Sequence, residues 1–348
     1  MTPAPRPATR PVARLSTPGE IAAVVPVLCG FVPHESLVVV SLRGPRRRLG
    51  LTMRFDLDWL LADLEHGAAE IALRLEHDGA DRAVLVLHTE APDDDGLAGA
   101  AVADAVQAAC TVEVDEALLV RDGRWWSYVC ADPRCCPPEG TPMAGAPSSA
   151  VRLVEAERVL EGRAVLASRE ELVRSLAAPR GAVADEAERH AERALDDWLE
   201  RHHRDGALVV RAEGLALAAR LVDASLRGTA VGAPDAARLA VALQDVLVRD
   251  EVATWCLDRG DALLGVLLQS ARQLCPPEDA PVLVLVAWVA YARGDGGLAN
   301  VALERCLASD PGCTLAHLLA EMLGRQVPPA EVRTLLAATR DQLRAQPS

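Results

Sequence analysis

The stretch SLVVVSL, residues 36–42, places four aliphatic side chains in succession between two serines. Such a run is typical of a β-strand whose two faces are both covered. After a Gly44-Pro45 turn, residues 49–57 alternate between apolar and polar side chains. This alternation predicts a second, half-buried strand that pairs back on the first as a hairpin and turns its odd-numbered residues toward the core.

Helical and strand-like segments alternate around this hairpin. Helical periodicity is found at residues 18–28, 60–75 and 97–106. Further strand patterns are found at residues 83–88, 111–120 and 124–129. The resulting order of elements predicts an α/β domain over residues 15–147, with helices packed on a mixed sheet. The Pro- and Arg-rich residues 1–14 are predicted to be a disordered lead-in with no signal peptide.

From residue 148 onward the strand patterns stop and helical segments repeat. The tripeptide Arg-Gly-Asp occurs at 259–261 and again 34 residues later, and Pro277 and Pro311 recur with the same spacing. A period of about 34 residues with two helices per unit is the tetratricopeptide length. Residues 148–348 are therefore predicted to be an all-α domain of tetratricopeptide-like helical hairpins, in which Ala299 faces the neighbouring helix.

The composition limits the classes of partner. The 348 residues carry a net charge of −14, which disfavours nucleic acid because phosphate binding requires clustered cations. The longest apolar run, residues 280–292, is shorter than the roughly 20 residues of a membrane-spanning helix, so no membrane association is predicted. We therefore expect a cytoplasmic protein, and the nine scattered cysteines do not form a disulfide framework.

Four stretches of the chain are distinctive as phrases. They are GFVPHESLVVVSL at residues 30–42, MRFDL at 53–57, CCPPEGTP at 135–142 and AWVAYARGDGGLANVALERCLASDPG at 287–312. Together they resemble a family of mainly actinobacterial proteins, catalogued as domain of unknown function 4192. The resemblance covers most of the chain and implies no particular activity, so the functional hypotheses rest on the chemistry of the residues.

The segment WWSYVCADPRCCPPEGTP, residues 125–142, contains three cysteines in a proline-rich context. A structural zinc site usually has four Cys or His ligands, and here Cys130, Cys135 and Cys136 supply only three. Adjacent ligands are also awkward in an extended chain, where successive side chains point in opposite directions. The favoured interpretation is that buried thiols act as small hydrophobic side chains under the Pro137-Pro138 turn. Zinc at these thiols is the less favoured hypothesis, a disulfide is disfavoured by a reducing cytoplasm, and no cofactor is predicted.

Arg54 and Asp56 lie two residues apart on the polar side of the predicted second strand and so share a face. If a helix covers that face, they form a buried ion pair or a ligand-binding pair; otherwise they form an exposed pair. Both are candidate ligand-binding residues. The acidic run Asp93-Asp94-Asp95 is interpreted as a loop or helix cap, because a metal role requires more ligands at fixed spacing. Catalytic residues remain unknown, since the sequence shows no phosphate loop, nucleophile elbow or His-Glu metal helix.

Two functional hypotheses follow. In the favoured one, the protein is a cytoplasmic interaction or regulatory module that binds a protein or peptide partner on the surface of its helical repeat. In the alternative, it is an enzyme or a small-ligand-binding protein whose pocket lies at the α/β domain and the cysteine-containing segment. A concave cluster of titratable groups around Arg54, Asp56 and the cysteines would favour the alternative, whereas an apolar groove on the helical domain would favour the first.

Overall fold

The computed structural model describes residues 13–93, 96–143, 148–160 and 164–345. The chain divides into two compact units, Met1–Val165 and Leu166–Ser348. The first unit contains a mixed six-stranded sheet with helices, and the second is all-helical over its described secondary structure. The predicted fold class is thereby confirmed. Residues 1–12 of the predicted lead-in lie outside the described residues.

The first unit, called the sheet unit below, is built from five helices and six strands in its described residues. The helices are α1 (Pro18–Cys29), α2 (Leu57–Ala62), α3 (Leu64–His77), α4 (Ala100–Ala109) and α5 (Ser149–Leu160). The strands are β1 (Ser36–Arg43), β2 (Arg48–Asp56), β3 (Arg82–His88), β4 (Glu113–Arg121), β5 (Arg124–Ser127) and β6 (Thr141–Pro142). Their order across the sheet is β2-β1-β3-β4-β5-β6. Strands β3 and β4 are parallel, and all other neighbours are antiparallel.

Both faces of the sheet are covered, as the apolar run of β1 predicts. On one face, Leu37 belongs to a cluster with Leu60 of α2 and Ile71 of α3. On the other face, Val38 packs in a second cluster with Val25 of α1. Consecutive residues of a strand point to opposite faces, so a strand enclosed on both sides must be apolar at every position.

Strand β2 shows the predicted alternation and one departure from it. Met53 and Phe55 are buried in the cluster on the α2 and α3 face. Leu49, however, is 51% exposed. The pairing of β2 with β1 shifts register between Val40 and Leu42, which places an extra residue of β2 opposite β1. A bulge of this kind disrupts the alternation of faces, so the prediction that every odd-numbered residue faces the core is wrong at Leu49.

Helix α5 belongs to the sheet unit. Its Arg158 donates hydrogen bonds to the last turn of α1, from Nε to Val27 O (2.8 Å) and from Nη2 to Leu28 O (3.0 Å). These two bonds satisfy carbonyls at a helix end, where intrahelical donors run out. The sequence places the domain boundary at 147/148, where the helical period begins, whereas the compact unit extends to Val165.

The second unit, called the helical unit, contains helices α6 to α15 in its described residues. They are α6 (Arg169–Ser175), α7 (Ala182–Asp205), α8 (Ala207–Leu226), α9 (Ala233–Ala242), α10 (Val246–Thr254), α11 (Cys256–Ala271), α12 (Ala280–Ala292), α13 (Gly296–Ser309), α14 (Thr314–Gly324) and α15 (Pro329–Ala345). Helices α12 and α13 pack against each other as an antiparallel pair of chain neighbours, and Ala299 of α13 is fully buried. This burial agrees with the expectation that Ala299 faces the neighbouring helix.

Helix α12 is the central helix of this unit. Eleven of its 13 residues are buried, and it is packed against α9, α10, α11, α13, α14 and α15. A helix that is apolar on all sides is typical of a protein core. Among the helices that the structure describes, none is both long enough and apolar enough to cross a membrane.

Candidate functional site

The cysteine loop, residues 128–140, connects β5 to β6 at one edge of the sheet. Its base is fixed on both faces, because Trp125 packs in the cluster beneath α1 and Trp126 packs against the cluster on the opposite face. The Trp126 Nε1–H donates to Pro138 O (2.9 Å), and Ser127 Oγ accepts a hydrogen bond from Cys130 N (3.1 Å). Both faces of β5 are therefore covered, and both ends of the loop are hydrogen-bonded to the strand.

Asp132 organises the turn inside the cysteine loop. Its carbonyl oxygen accepts hydrogen bonds from Cys135 N (3.0 Å) and Cys136 N (2.8 Å). Its carboxylate oxygen Oδ1 accepts a hydrogen bond from Arg134 N (2.9 Å). This pattern is one turn of helix, in which consecutive side chains diverge by far less than in an extended strand. The objection that neighbouring cysteines must point in opposite directions therefore does not apply here.

The three thiols of the cysteine loop converge. Cys130 Sγ lies 3.2 Å from Cys135 Sγ, and Cys135 Sγ lies 3.6 Å from Cys136 Sγ. All three sulfur atoms are within 4.8 Å of one another. The prediction that buried thiols fill space here does not hold at Cys135, which is exposed, whereas Cys130 and Cys136 are partly buried. None of the three is in a disulfide.

The sulfur atoms differ in their acidity. The pKa of Cys130 is lowered, because the backbone N–H of Asp132 and the neighbouring thiols donate hydrogen bonds to its sulfur. The pKa of Cys135 is raised, because its thiol donates to Cys130. Burial raises the pKa of Cys136 to about 12. Cys130 is therefore the thiol of this loop that loses its proton most easily.

Arg54 and Asp56, the predicted ligand-binding pair, form an ion pair on β2 with 2.6 Å between Nη2 and Oδ1. The Arg54 side chain is 17% exposed and lies over the ring of Phe31, whereas the Asp56 side chain is 63% exposed. Strand β2 is one edge strand of the sheet, and the cysteine loop is at the opposite edge. The structure thus brings Arg54 and Asp56 together but separates them from the cysteines, so the two groups do not form one concave site.

A buried polar cluster of Ser36, Arg54 and His88 lies on the α1 side of the sheet. Ser36 is paired with both His88 and Asp56 on its neighbouring strands. Within the part of the chain that the structure describes, Ser36 Oγ, Arg54 Nε and His88 Nε2 are buried without a hydrogen-bond partner. Such groups are rare in folded proteins because an unpaired buried polar atom is costly. Sequence reasoning missed Ser36 and His88; the available signal was a polar residue at one end of each apolar strand.

Charge and backbone geometry also mark this region. Burial, followed by the positive charge of Arg54, lowers the pKa of His88 to about 4, so the imidazole is neutral at pH 7. The neighbouring Glu35 has a φ of +39°, a conformation that residues other than glycine rarely adopt. Its carboxylate accepts hydrogen bonds from Thr89 Oγ1 and Glu90 N, both at 2.8 Å. The strained residue thus joins the start of β1 to the end of β3.

Asp93, the first residue of the acidic run, anchors its loop. Asp93 accepts a hydrogen bond from Ala98 N (2.8 Å) and pairs with Arg121 (2.9 Å). The hydrogen bond from Arg121 lowers the pKa of Asp93. Asp94 and Asp95 lie outside the described residues.

The helical unit carries a shallow depression between α7, α8, α9 and α10. It is lined by Trp198, Ala207, Val210, Arg211, Ala242, Asp245 and Val248. Arg211 Nε donates to Asp245 Oδ2 at 2.6 Å inside it, and Trp198 stacks on His202 with 4.8 Å between ring centroids. The depression therefore combines an aromatic ring, a paired arginine and aliphatic walls.

Five exposed aliphatic residues are sequence neighbours of the residues that line this depression. We call the following set the apolar rim: Leu199, Leu208, Val209, Val246 and Leu247. Each is an exposed residue directly next in sequence to a residue that lines the depression. Consecutive residues of a helix are about 100° apart around its axis, so each rim residue is turned away from the lining residue beside it and toward solvent.

Comparison with family models matches residues 18–330 of the chain to a domain of unknown function (DUF4192). The chain belongs to the DUF4192 family. Neither the curated proteins nor the solved structures contain a match to the chain.

The DUF4192 match begins at the first residue of α1 and ends in α15. It therefore includes the buried polar cluster, the cysteine loop and the apolar rim. The family description names no activity, so a function for this member has to be argued from the chemistry of these three features.

Proposed function

We propose that the protein is a cytoplasmic interaction or regulatory protein that binds a protein or peptide partner on its helical unit. The observation that carries the proposal is the apolar rim around the Trp198–Arg211–Asp245 depression. Exposed apolar patches with a polar border are typical of protein-binding surfaces, and Trp and Arg are enriched among the residues that contribute most to binding. The net charge of −14 supports a protein rather than a nucleic acid as the partner.

The proposed binding surface differs from the groove of an open helical repeat. In an open stack of hairpins, one face of the inner helices remains available to a ligand. Helix α12 is enclosed by six neighbouring helices and has no such face. The tetratricopeptide-like repeat remains part of the proposal as a description of how α12 and α13 pair. The partner is assigned to the surface around α7, α8 and α10.

Two substitutions on α8 test this proposal. Leu208 in the apolar rim is 74% exposed, and Leu226 at the other end of the same helix is 68% exposed. Each is changed to Glu, and the tagged proteins are used to capture partners from native extracts under identical conditions. We expect Leu208→Glu to capture at least about tenfold less partner than the wild type, because burying a charge in an apolar contact costs more than about 1.4 kcal/mol. Leu226→Glu should capture as much partner as the wild type. Equal capture by both variants would contradict the proposal.

A second candidate function, binding of a small anionic ligand in the sheet unit, is favoured by one observation. Ser36, Arg54 and His88 direct three unpaired polar atoms into one region of the sheet. A guanidinium, a hydroxyl and a neutral imidazole are suited to the oxygens of a carboxylate or phosphate. Orthophosphate and acetate are the probes. We expect one of them to raise the unfolding temperature of the wild type but not of Arg54→Met, with Arg74→Met as the matched control.

A further inference from the structure

We propose that the cysteine loop is a metal site, in which Cys130, Cys135 and Cys136 bind one Zn²⁺ ion as thiolates and leave a fourth coordination position to a ligand from solution. This site is independent of the proposed partner-binding surface. It reverses the preference that the sequence suggests for these three cysteines, because the folded loop gives them a geometry that their spacing does not.

The distances between the sulfur atoms suit a shared metal ion. Zn–S bonds of about 2.3 Å in tetrahedral geometry place two sulfurs about 3.8 Å apart. The observed separations of 3.2 Å and 3.6 Å, with all three sulfurs within 4.8 Å, require only small shifts to reach that value. A disulfide requires an S–S bond of about 2.05 Å, which none of the pairs approaches.

The loop holds the thiols in place through its own backbone. Asp132 O accepts both Cys135 N and Cys136 N, and Ser127 Oγ accepts Cys130 N. Cys136 also packs against the apolar cluster beneath α1, which attaches the site to the core of the sheet unit. A preorganised set of ligands pays less conformational entropy when the ion binds, so affinity is gained.

Exposure of the thiols separates a metal site from a packing role. A thiol that serves only to fill space is buried, yet Cys135 is exposed and Cys130 and Cys136 are partly accessible. Ions from solution can therefore reach the group of thiols at its exposed member, Cys135. Soft thiolate ligands select Zn²⁺ or Cu⁺ over Mg²⁺ and Ca²⁺, which prefer oxygen. As each sulfur bonds to the ion, its thiol releases one proton to solvent.

The number of ligands defines the type of site. Among the described residues, no further His, Cys, Asp or Glu joins the three cysteines as a ligand of the same group. Structural zinc sites have four protein ligands, whereas sites with three keep a position for water or an external group. We therefore assign the loop to the open type, with an exchangeable fourth ligand.

Metal analysis of the full chain tests the site. The protein is produced without a metal-affinity tag and its zinc content is measured by elemental analysis; the reduced, metal-free protein is then titrated with Zn²⁺ against a coloured chelator, and in a parallel experiment with Cu⁺. We expect about one Zn²⁺ per chain. A reduced protein that takes up neither ion would overturn the proposal, and uptake of Cu⁺ without Zn²⁺ would overturn the assignment to zinc.

Variants and a wild-type measurement locate the ion. Cys135→Ser should weaken Zn²⁺ binding by at least about tenfold, and Cys110→Ser, at a partly buried cysteine outside the loop, should leave it unchanged. Because Cys135 is exposed, its variant should fold, as thermal unfolding of the metal-free proteins will show. Independently of any variant, Zn²⁺ should protect Cys130, Cys135 and Cys136 of the wild type from alkylation, measured by mass spectrometry. Equal binding by both variants, or no protection, would place the ion elsewhere and refute the site.

Discussion

His88 is an imidazole kept neutral inside the sheet unit, and this makes stability depend on pH. Its pKa is lowered from 6.5 to about 4 in the folded chain, because burial and Arg54 disfavour the charged form. The unfolded chain therefore binds a proton that the folded chain does not, in the range between these two values. We expect the free energy of unfolding to fall as the pH decreases from 6.5 to about 4, by up to about 3 kcal/mol.

The contribution of His88 is isolated by comparison with a variant. Urea unfolding of the wild type and of His88→Leu is measured at several pH values, with His66→Gln as the control at an exposed histidine of the same unit. The wild type should lose free energy of unfolding between pH 7 and pH 5 because of His88, and His88→Leu should not. Relative to the wild type, His88→Leu should therefore be more stable at pH 5 than at pH 7. A difference that does not vary with pH would show that His88 titrates normally.

Gly140 ends the cysteine loop in a conformation that only glycine adopts readily. Its φ is +76°, and a Cβ atom at this position would overlap the ring of Trp126. Gly123 has a similar φ of +69° but open space around it. We expect Gly140→Ala to lower the free energy of unfolding by about 2–4 kcal/mol and Gly123→Ala by only about 1 kcal/mol, because the first adds a steric overlap to the backbone strain. Equal losses in urea unfolding would mean that the Trp126 ring moves aside freely.

At the level of helices, a buried ion pair joins α13 to the turn that precedes α12. Arg305 donates to the carboxylate of Asp279 from Nη2 (2.6 Å) and Nε (3.0 Å), and the Asp279 side chain is fully buried. Arg305 also donates to Ala271 O at 3.2 Å. The pair therefore connects three segments of the helical unit: the end of α11, the turn before α12, and α13.

Removal of the arginine should be severe. Arg305→Ala leaves the Asp279 carboxylate buried without a cation, and we expect a loss of about 3–5 kcal/mol in the free energy of unfolding. Arg325→Ala, which removes the exposed i,i+4 pair with Glu321, is the control and should change stability little. Chemical denaturation of both variants measures the difference. A small effect of Arg305→Ala would show that water reaches Asp279.

For the whole molecule, the division into two compact units leads to a direct test. Helix α12, the most apolar of the described helices, is covered by other helices of the unit Leu166–Ser348. The hydroxyl of its Tyr291 is hydrogen-bonded to Met322 O and Val327 O within the same unit. We expect a fragment of residues 166–348 to unfold cooperatively with a strongly helical circular dichroism spectrum. A fragment that is unstructured or unfolds without cooperativity would show that this core needs the sheet unit.

The order of strands and helices could be predicted because it depends on local periodicity. The apolar run of β1, the alternation of β2 and the helical period after residue 148 are each properties of neighbouring residues along the chain. The same logic failed at Leu49, because a β-bulge depends on how two strands pair and not on either strand alone. A helical period also does not tell which core a helix packs against, and the bonds from Arg158 of α5 to α1 are visible only in the structure.

The sequence by itself determined the fold class, the family and the presence of three closely spaced thiols. Only the tertiary structure decided that the turn at Asp132 makes those thiols converge in an accessible position. It also decided that Arg54 lies near His88 rather than near the cysteine loop, because the order of strands puts β2 and that loop at opposite edges of the sheet. The physical reason is common to both: periodicity reports which side of its own element a residue occupies, whereas a site requires side chains from separate elements to meet.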